Sequence, residues 1–143
     1  DYRKEYANRT KNQEGLMDWS KYPNFSESEF ACSHCGECHM NESFIAKLQS
    51  LRSHYGKGMT ISSGYRCPDH PIEKRKAKPG THASGHAADI KISHGAAVEL
   101  LTLALRSGAF TGIGIQQKGE HGSRFLHLDD KDMGPTRPTI WSY

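Results

Sequence analysis

The segment Thr81-His82-Ala83-Ser84-Gly85-His86-Ala87-Ala88-Asp89-Ile90-Lys91-Ile92 admits two conformations that lead to different architectures. As a helix, the seven-residue separation of His82 and Asp89 aligns both side chains on one face. As a strand from Ala87 to Ile92, it places Ala88, Ile90 and Ile92 on one side, and Ala87, Asp89 and Lys91 on the other. Gly85 and the β-rich Ile90-Lys91-Ile92 decide for the strand, so His82 belongs to the loop ahead of it.

Phe125-Leu126-His127-Leu128-Asp129 alternates in the same way, with His127 and Asp129 on the face opposite the leucines. If the two strands are antiparallel neighbours, Asp89 and His127 stand side by side, their Cβ atoms about 5 Å apart. His82 then reaches in from its loop, where Gly85 permits a sharp turn and leaves room for a metal. Two imidazoles and a carboxylate suit zinc, and three protein ligands leave a fourth position for a water that the ion can acidify. A carboxylate inside an apolar strand also needs a partner. The chain carries nine histidines, and His39, His54, His70 and His94 are expected to be surface or hydrogen-bonded residues.

Around these strands, Ser26 and Glu29 fit a capping box that opens a short helical turn. Asn41 caps a helix whose Phe44, Ile45, Leu48 and Leu51 recur at helical spacing up to Gly56. Residues 59–63 form a strand, 68–81 a loop with three prolines, and 111–116 another strand. Ser93 caps a second helix with an apolar stripe of Ala97, Leu100, Leu101, Ala104 and Leu105. The tail, with Trp141 and Tyr143, offers an edge strand. Helices and strands mix without regular βαβ alternation, so the fold class is α+β: a small antiparallel sheet flanked by helices. Residues 1–24 form an N-terminal arm or linker, and 25–143 a single domain.

At 143 residues the chain supports one ordinary core. It is 35% hydrophobic and carries a formal charge of +3. With a mean hydropathy of −0.75, it has no apolar run near the roughly 18 residues a membrane span requires. The small basic excess gives no reason to expect a nucleic-acid partner. The chain starts at Asp1 rather than Met, compatible with removal of a leader or of a larger parent.

Cys32, Cys35 and Cys38 cluster, and Cys67 stands apart in Gly-Tyr-Arg-Cys-Pro. Four thiols suit either a structural metal site, with His34 or His39 in reserve, or two disulfides. Both alternatives staple the N-terminal segment to the Cys67 region.

Three motifs taken together resemble the zinc D-Ala-D-Ala carboxypeptidase family. They are Ser63-Gly64-Tyr65-Arg66-Cys67-Pro68, His82-x-x-Gly85-x-Ala87-x-Asp89-Ile90 and Phe125-Leu126-His127-Leu128-Asp129, in that order. The family includes D-alanyl-D-alanine dipeptidases and phage L-alanyl-D-glutamate endopeptidases, and shares a core with the hedgehog signalling domain. The Cys-rich start followed by Gly-Tyr-Arg-Cys-Pro is similar to phage and prophage members.

The resemblance implies that His82, Asp89 and His127 bind one catalytic zinc. Arg66 would steady the scissile carbonyl or a substrate carboxylate, with Ser63 as a supporting or substrate hydrogen bond. Relatives carry a Glu or Asp three residues before the last ligand; here Arg124 stands there and accepts no proton. His121, six residues before His127, is the expected general base, with Glu120 as substitute. His86 supports the metal or faces solvent, and the basic run 74–78 lines the cleft or is simply solvated.

The implied partner is a peptidoglycan stem peptide, met by a monomer at a bacterial wall, in the periplasm or on a phage particle. Two other classes remain: a non-catalytic zinc-containing binding module, and a structural tail component whose basic loop contacts a partner.

Overall fold

The computed structural model describes residues 17–143. Its sheet contains β1 (Thr60–Ser63), β2 (Ala87–Lys91), β3 (Gly112–Gln116), β4 (Phe125–Asp129) and β5 (Thr139–Ser142). The strand order is β1-β2-β4-β3-β5. All pairings are antiparallel except β3 with β5, which is parallel. Among the described residues three α-helices accompany the sheet: α1 (Glu42–Tyr55), α2 (Pro71–Lys74) and α3 (His94–Ser107). The architecture is α+β.

Helix α1 begins where Asn41 Oδ1 accepts the Phe44 N–H at 3.0 Å and ends at Gly56, whose φ of +73° suits a residue without Cβ. Its buried residues Phe44, Ile45, Leu48 and Leu51 meet Ala88, Ile90, Leu126, Leu128 and Ile113 in one core. Leu100 and Ala104 of α3 join them, while Leu105, expected in the stripe, is exposed. The expected 68–81 loop contains the single turn of α2, with Pro71 at its start and the His70 ring accepting the Ile72 N–H. The Ser26–Glu29 box opens a 3-10 turn at Glu27–Phe30.

Because strand side chains alternate, the apolar rows of β2 and β4 face the helices, and Asp89, His127 and Asp129 stand on the opposite face. Of the expected N-terminal arm, residues 1–16 lie outside the described residues. Trp19 stacks on Phe30 with ring centroids 5.5 Å apart, and Tyr22 is buried, its hydroxyl donating to Glu42 at 2.9 Å. No helix among the described residues is long and apolar enough to cross a membrane.

Candidate metal centre

Asp89 and His127 are direct partners across the β2–β4 pair. His82 arrives from the loop before β2, whose turn is made by Gly85 at φ +78°. A Cβ on Gly85 would collide with the His39 carbonyl, so the space it vacates holds backbone rather than a metal. The Gly85 carbonyl accepts the Asn41 N–H at 2.9 Å, pinning the His82 loop to the start of α1.

His82 Nε2, Asp89 Oδ1 and His127 Nδ1 form a nearly equilateral triangle. The separations are 3.2 Å between the imidazoles, 3.2 Å from His82 to Asp89 and 3.1 Å from His127 to Asp89. A tetrahedral ion with bonds of about 2.0–2.1 Å spaces its ligand atoms about 3.3 Å apart, so the triangle has the dimensions of one face of a zinc site.

The outward ring nitrogens fix what the inward ones are. His82 Nδ1 donates to the Gly64 carbonyl at 2.8 Å, and His127 Nε2 donates to Asp129 Oδ2 at 2.8 Å. Three acceptors therefore point at one another with no donor among them. Such buried acceptors need a cation or a proton. The residues fit zinc.

Asp129 is completely buried and is itself clamped by Arg137, at 3.1 Å to Oδ2 and 3.3 Å to Oδ1. It is the carboxylate that orients a ligating imidazole, and exchange of such an outer partner typically weakens metal binding 10–100-fold. Asp129→Asn should therefore raise the zinc dissociation constant by about that factor while leaving the triad intact. A chelator-competition titration measures it.

Burial raises the pKa of Asp89, but when protons rather than a metal fill the site, hydrogen bonds and charge from His127 and His82 outweigh it and hold the carboxyl well below its ordinary range. For His127 burial acts against the charged ring, yet Asp129 and Asp89 raise its pKa above the ordinary value. Metal binding requires neutral imidazole. Protons in the metal-free protein therefore compete already above the pH at which a free imidazole titrates. Zinc affinity should fall as pH drops through this raised value, by about tenfold per pH unit below it. Competition titrations between pH 5 and 8, in steps of about half a unit, would trace the slope.

The third strand makes room for this face. Gly112 opposes Asp129 and Gly114 opposes His127 in β3. A Cβ at Gly112 would strike the Asp129 carboxylate, and one at Gly114 would lie 2.7 Å from the Trp141 indole nitrogen. Across Gly114, the Trp141 ring lies 5.0 Å from that of His127. The Tyr143 ring is 5.1 Å from that of Phe125. Burial pushes the Tyr143 phenol above its ordinary pKa, and the charges of Asp89 and Asp129 add to this.

Arg66 borders the triad on the other side. Its NH2 donates to Asp89 Oδ2 at 3.3 Å, its NH1 to Glu73 at 3.3 Å and its Nε to Ser63 Oγ at 3.1 Å. Ser63 thus orients Arg66. Three of five N–H bonds are committed, which leaves one on each terminal nitrogen. Glu73 is fully buried between Arg66, Lys76 (3.0 Å) and the Gly80 N–H (2.7 Å). Lys76, part of the basic run 74–78, is therefore a structural partner rather than a free cation.

Other expected residues lie elsewhere. His121 and Glu120 precede β4, beyond its Phe125 end, and His121 Nε2 pairs with His94 at 3.1 Å rather than with the triad. The structure therefore does not bring the expected general base to the metal ligands. His86 pairs with Asp130 at 2.7 Å and does not touch the triad. Of the cysteines, Cys32, Cys35 and Cys67 come together. Cys38 does not join them, and burial pushes its thiol up to about 11.

Sequence reasoning passed over Glu73, Arg137 and Asp129 as site residues. The only signal for Asp129 was its place on the His127 face, two residues along the strand. Comparison with curated proteins returns no match. The Peptidase M15 family model matches residues 23–129, a span that contains all three metal-ligand candidates and Arg66. With that match across most of its length, the chain belongs to the Peptidase M15 family.

Proposed function

We propose that the protein is a zinc-dependent peptidase that hydrolyses peptidoglycan stem peptides, as a D-Ala-D-Ala carboxypeptidase or an L-Ala-D-Glu type endopeptidase. The observation that carries this reading is the triangle of three acceptors with no donor between them. His82, Asp89 and His127 would hold the ion, which supplies Lewis acidity for acidifying water and polarising a carbonyl.

The chain's own residues do the rest. Asp129 and the Gly64 carbonyl keep each imidazole in the ligating tautomer. Arg66, held by Ser63, Glu73 and Asp89, keeps a fixed positive fork beside the reacting centre for a developing oxyanion or a terminal carboxylate. Trp141 and Tyr143 border the opposite side, packed on His127 and Phe125 respectively.

The test is hydrolysis of purified peptidoglycan and of defined stem peptides, with products identified by mass. Release of D-Ala supports the carboxypeptidase, and cleavage inside the stem supports the endopeptidase. A general base contributes about 10²–10⁴-fold. Given the pairing of His121 with His94, His121→Ala and Glu120→Gln should cost much less than that. One observation favours a second reading, a non-catalytic binding module: Arg124 occupies the expected carboxylate position. Full zinc loading with no cleavage of any wall peptide would establish that module instead.

A further inference from the structure

We propose that Cys32, Cys35 and Cys67 hold a second zinc ion with a structural role, completed by an imidazole from His34 or His70. The sulfurs of the three cysteines lie within 4.8 Å of one another. A tetrahedral zinc with bonds of about 2.3 Å would space them about 3.8 Å apart, well inside that limit.

The backbone around them is arranged for thiolates. Cys32 Sγ accepts the His34 N–H at 3.4 Å and the Cys67 N–H at 3.3 Å. Cys35 accepts the N–H of Glu37, and Cys67 that of Asp69. Each sulfur therefore receives the amide two residues further along its own chain. This repeated turn aims main-chain donors at all three sulfurs and partly offsets the burial that pushes the Cys35 and Cys67 thiols up. Gly36, at φ +78°, closes the first turn, with its N–H on the Cys32 carbonyl at 2.8 Å.

A disulfide suits the arrangement less well. Pairing any two of three convergent sulfurs leaves the third thiol facing the bond. All four cysteines are free in the structure, and Cys38 is not placed to serve as the second partner. Two imidazoles adjoin these cysteines in sequence; neither belongs to the group of three sulfurs, so His34 or His70, whose Nε2 meets Ser33 at 3.1 Å, would turn in on metal binding. His34 lies between Cys32 and Cys35, His70 follows Cys67 at the Cys-x-x-His interval, and their rings are 6.3 Å apart.

The site would join two segments that carry no regular structure of their own, one leading from Phe30 to α1 and one from β1 to α2. They already approach closely: the Tyr65 N–H donates to the Phe30 carbonyl at 2.9 Å, and a Cβ on Gly64 would lie 2.6 Å from Phe30 Cα. Arg66 and the Gly64 carbonyl that orients His82 lie on the second of these segments. A thiolate zinc would therefore fix the Arg66 side of the metal centre from behind, through folding energy rather than chemistry.

This inference is independent of what the triad does and is tested without an activity assay. Protein prepared under reducing conditions should bind two zinc ions, with His127→Ala and Cys35→Ser each losing one. Cobalt substitution separates the sites. Thiolate-to-cobalt charge transfer in the near ultraviolet should persist in His127→Ala and vanish in Cys35→Ser, whose position is exposed. Loss of the tetrahedral visible bands in His34→Ala or His70→Ala would support the imidazole and name it, and their retention in both would overturn that part. The native protein alone can sink the proposal, through no thiolate-to-cobalt charge transfer, or a mass-mapped disulfide between any two of the three cysteines.

Discussion

His127→Ala is expected to abolish high-affinity zinc binding at the triad and to lower stem-peptide hydrolysis by about a thousandfold or more, since the water-acidifying chemistry that the ion would supply is lost with it. His127 is the informative member to remove because its neighbours keep other partners. Asp129 retains Arg137, and Asp89 retains Arg66. The variant should therefore remain folded, and circular dichroism together with metal analysis would separate loss of the ion from loss of the fold. Exposure of the native enzyme to a chelator should reproduce the kinetic defect, and added zinc should reverse it only in the native protein. A variant that still hydrolyses at the native rate without zinc would remove the metal centre from the reaction.

Arg66→Lys is expected to lower kcat/KM by about 10²–10³, the range seen when one preorganised oxyanion donor is removed, while zinc content stays unchanged. A lysine brings the same charge without the fork. It cannot reach Ser63, Glu73 and Asp89 together as the guanidinium does at 3.1 to 3.3 Å. Lysine is preferred to alanine because Glu73 is fully buried, and removal of one partner from a buried ion pair costs about 3–5 kcal/mol of stability. Unchanged zinc binding with a fall in turnover distinguishes this defect from that of His127→Ala. Native kinetics in Arg66→Lys would reduce Arg66 to a loop-holding ion pair.

That Asp89 and His127 turn away from the core was legible in the sequence, because strand alternation leaves them no other face once the leucines and isoleucines turn inward; their direct pairing was a condition that the β2–β4 register meets. Helix α1 was equally plain, having both an Asn cap and a Gly stop. The support of the site was not. Arg137 lies eight residues beyond Asp129, across an irregular turn, and nothing local ties a surface-looking arginine to a buried carboxylate. Glu73 precedes Lys-Arg-Lys and so looks like part of a solvated run, yet it is interred beneath Arg66. Gly112 and Gly114 resemble weak spots in a strand until β4 and β5 are placed beside them. The parallel docking of β5 also leaves no local mark, since it depends on a long-range partner. His121 was placed by interval along the chain alone, and intervals across the irregular 117–123 connection do not fix direction.

Because Asp89 and His127 each sit between residues that face the helices, a metal bound at the triad would also proofread strand alignment. A slip of one residue between β2 and β4 would set the rows of the two strands out of step, turning either the carboxylate or the imidazole toward the oily layer and the apolar row of that strand toward water. A chain misaligned in this way would lose the triad, so metal occupancy would count correctly assembled molecules.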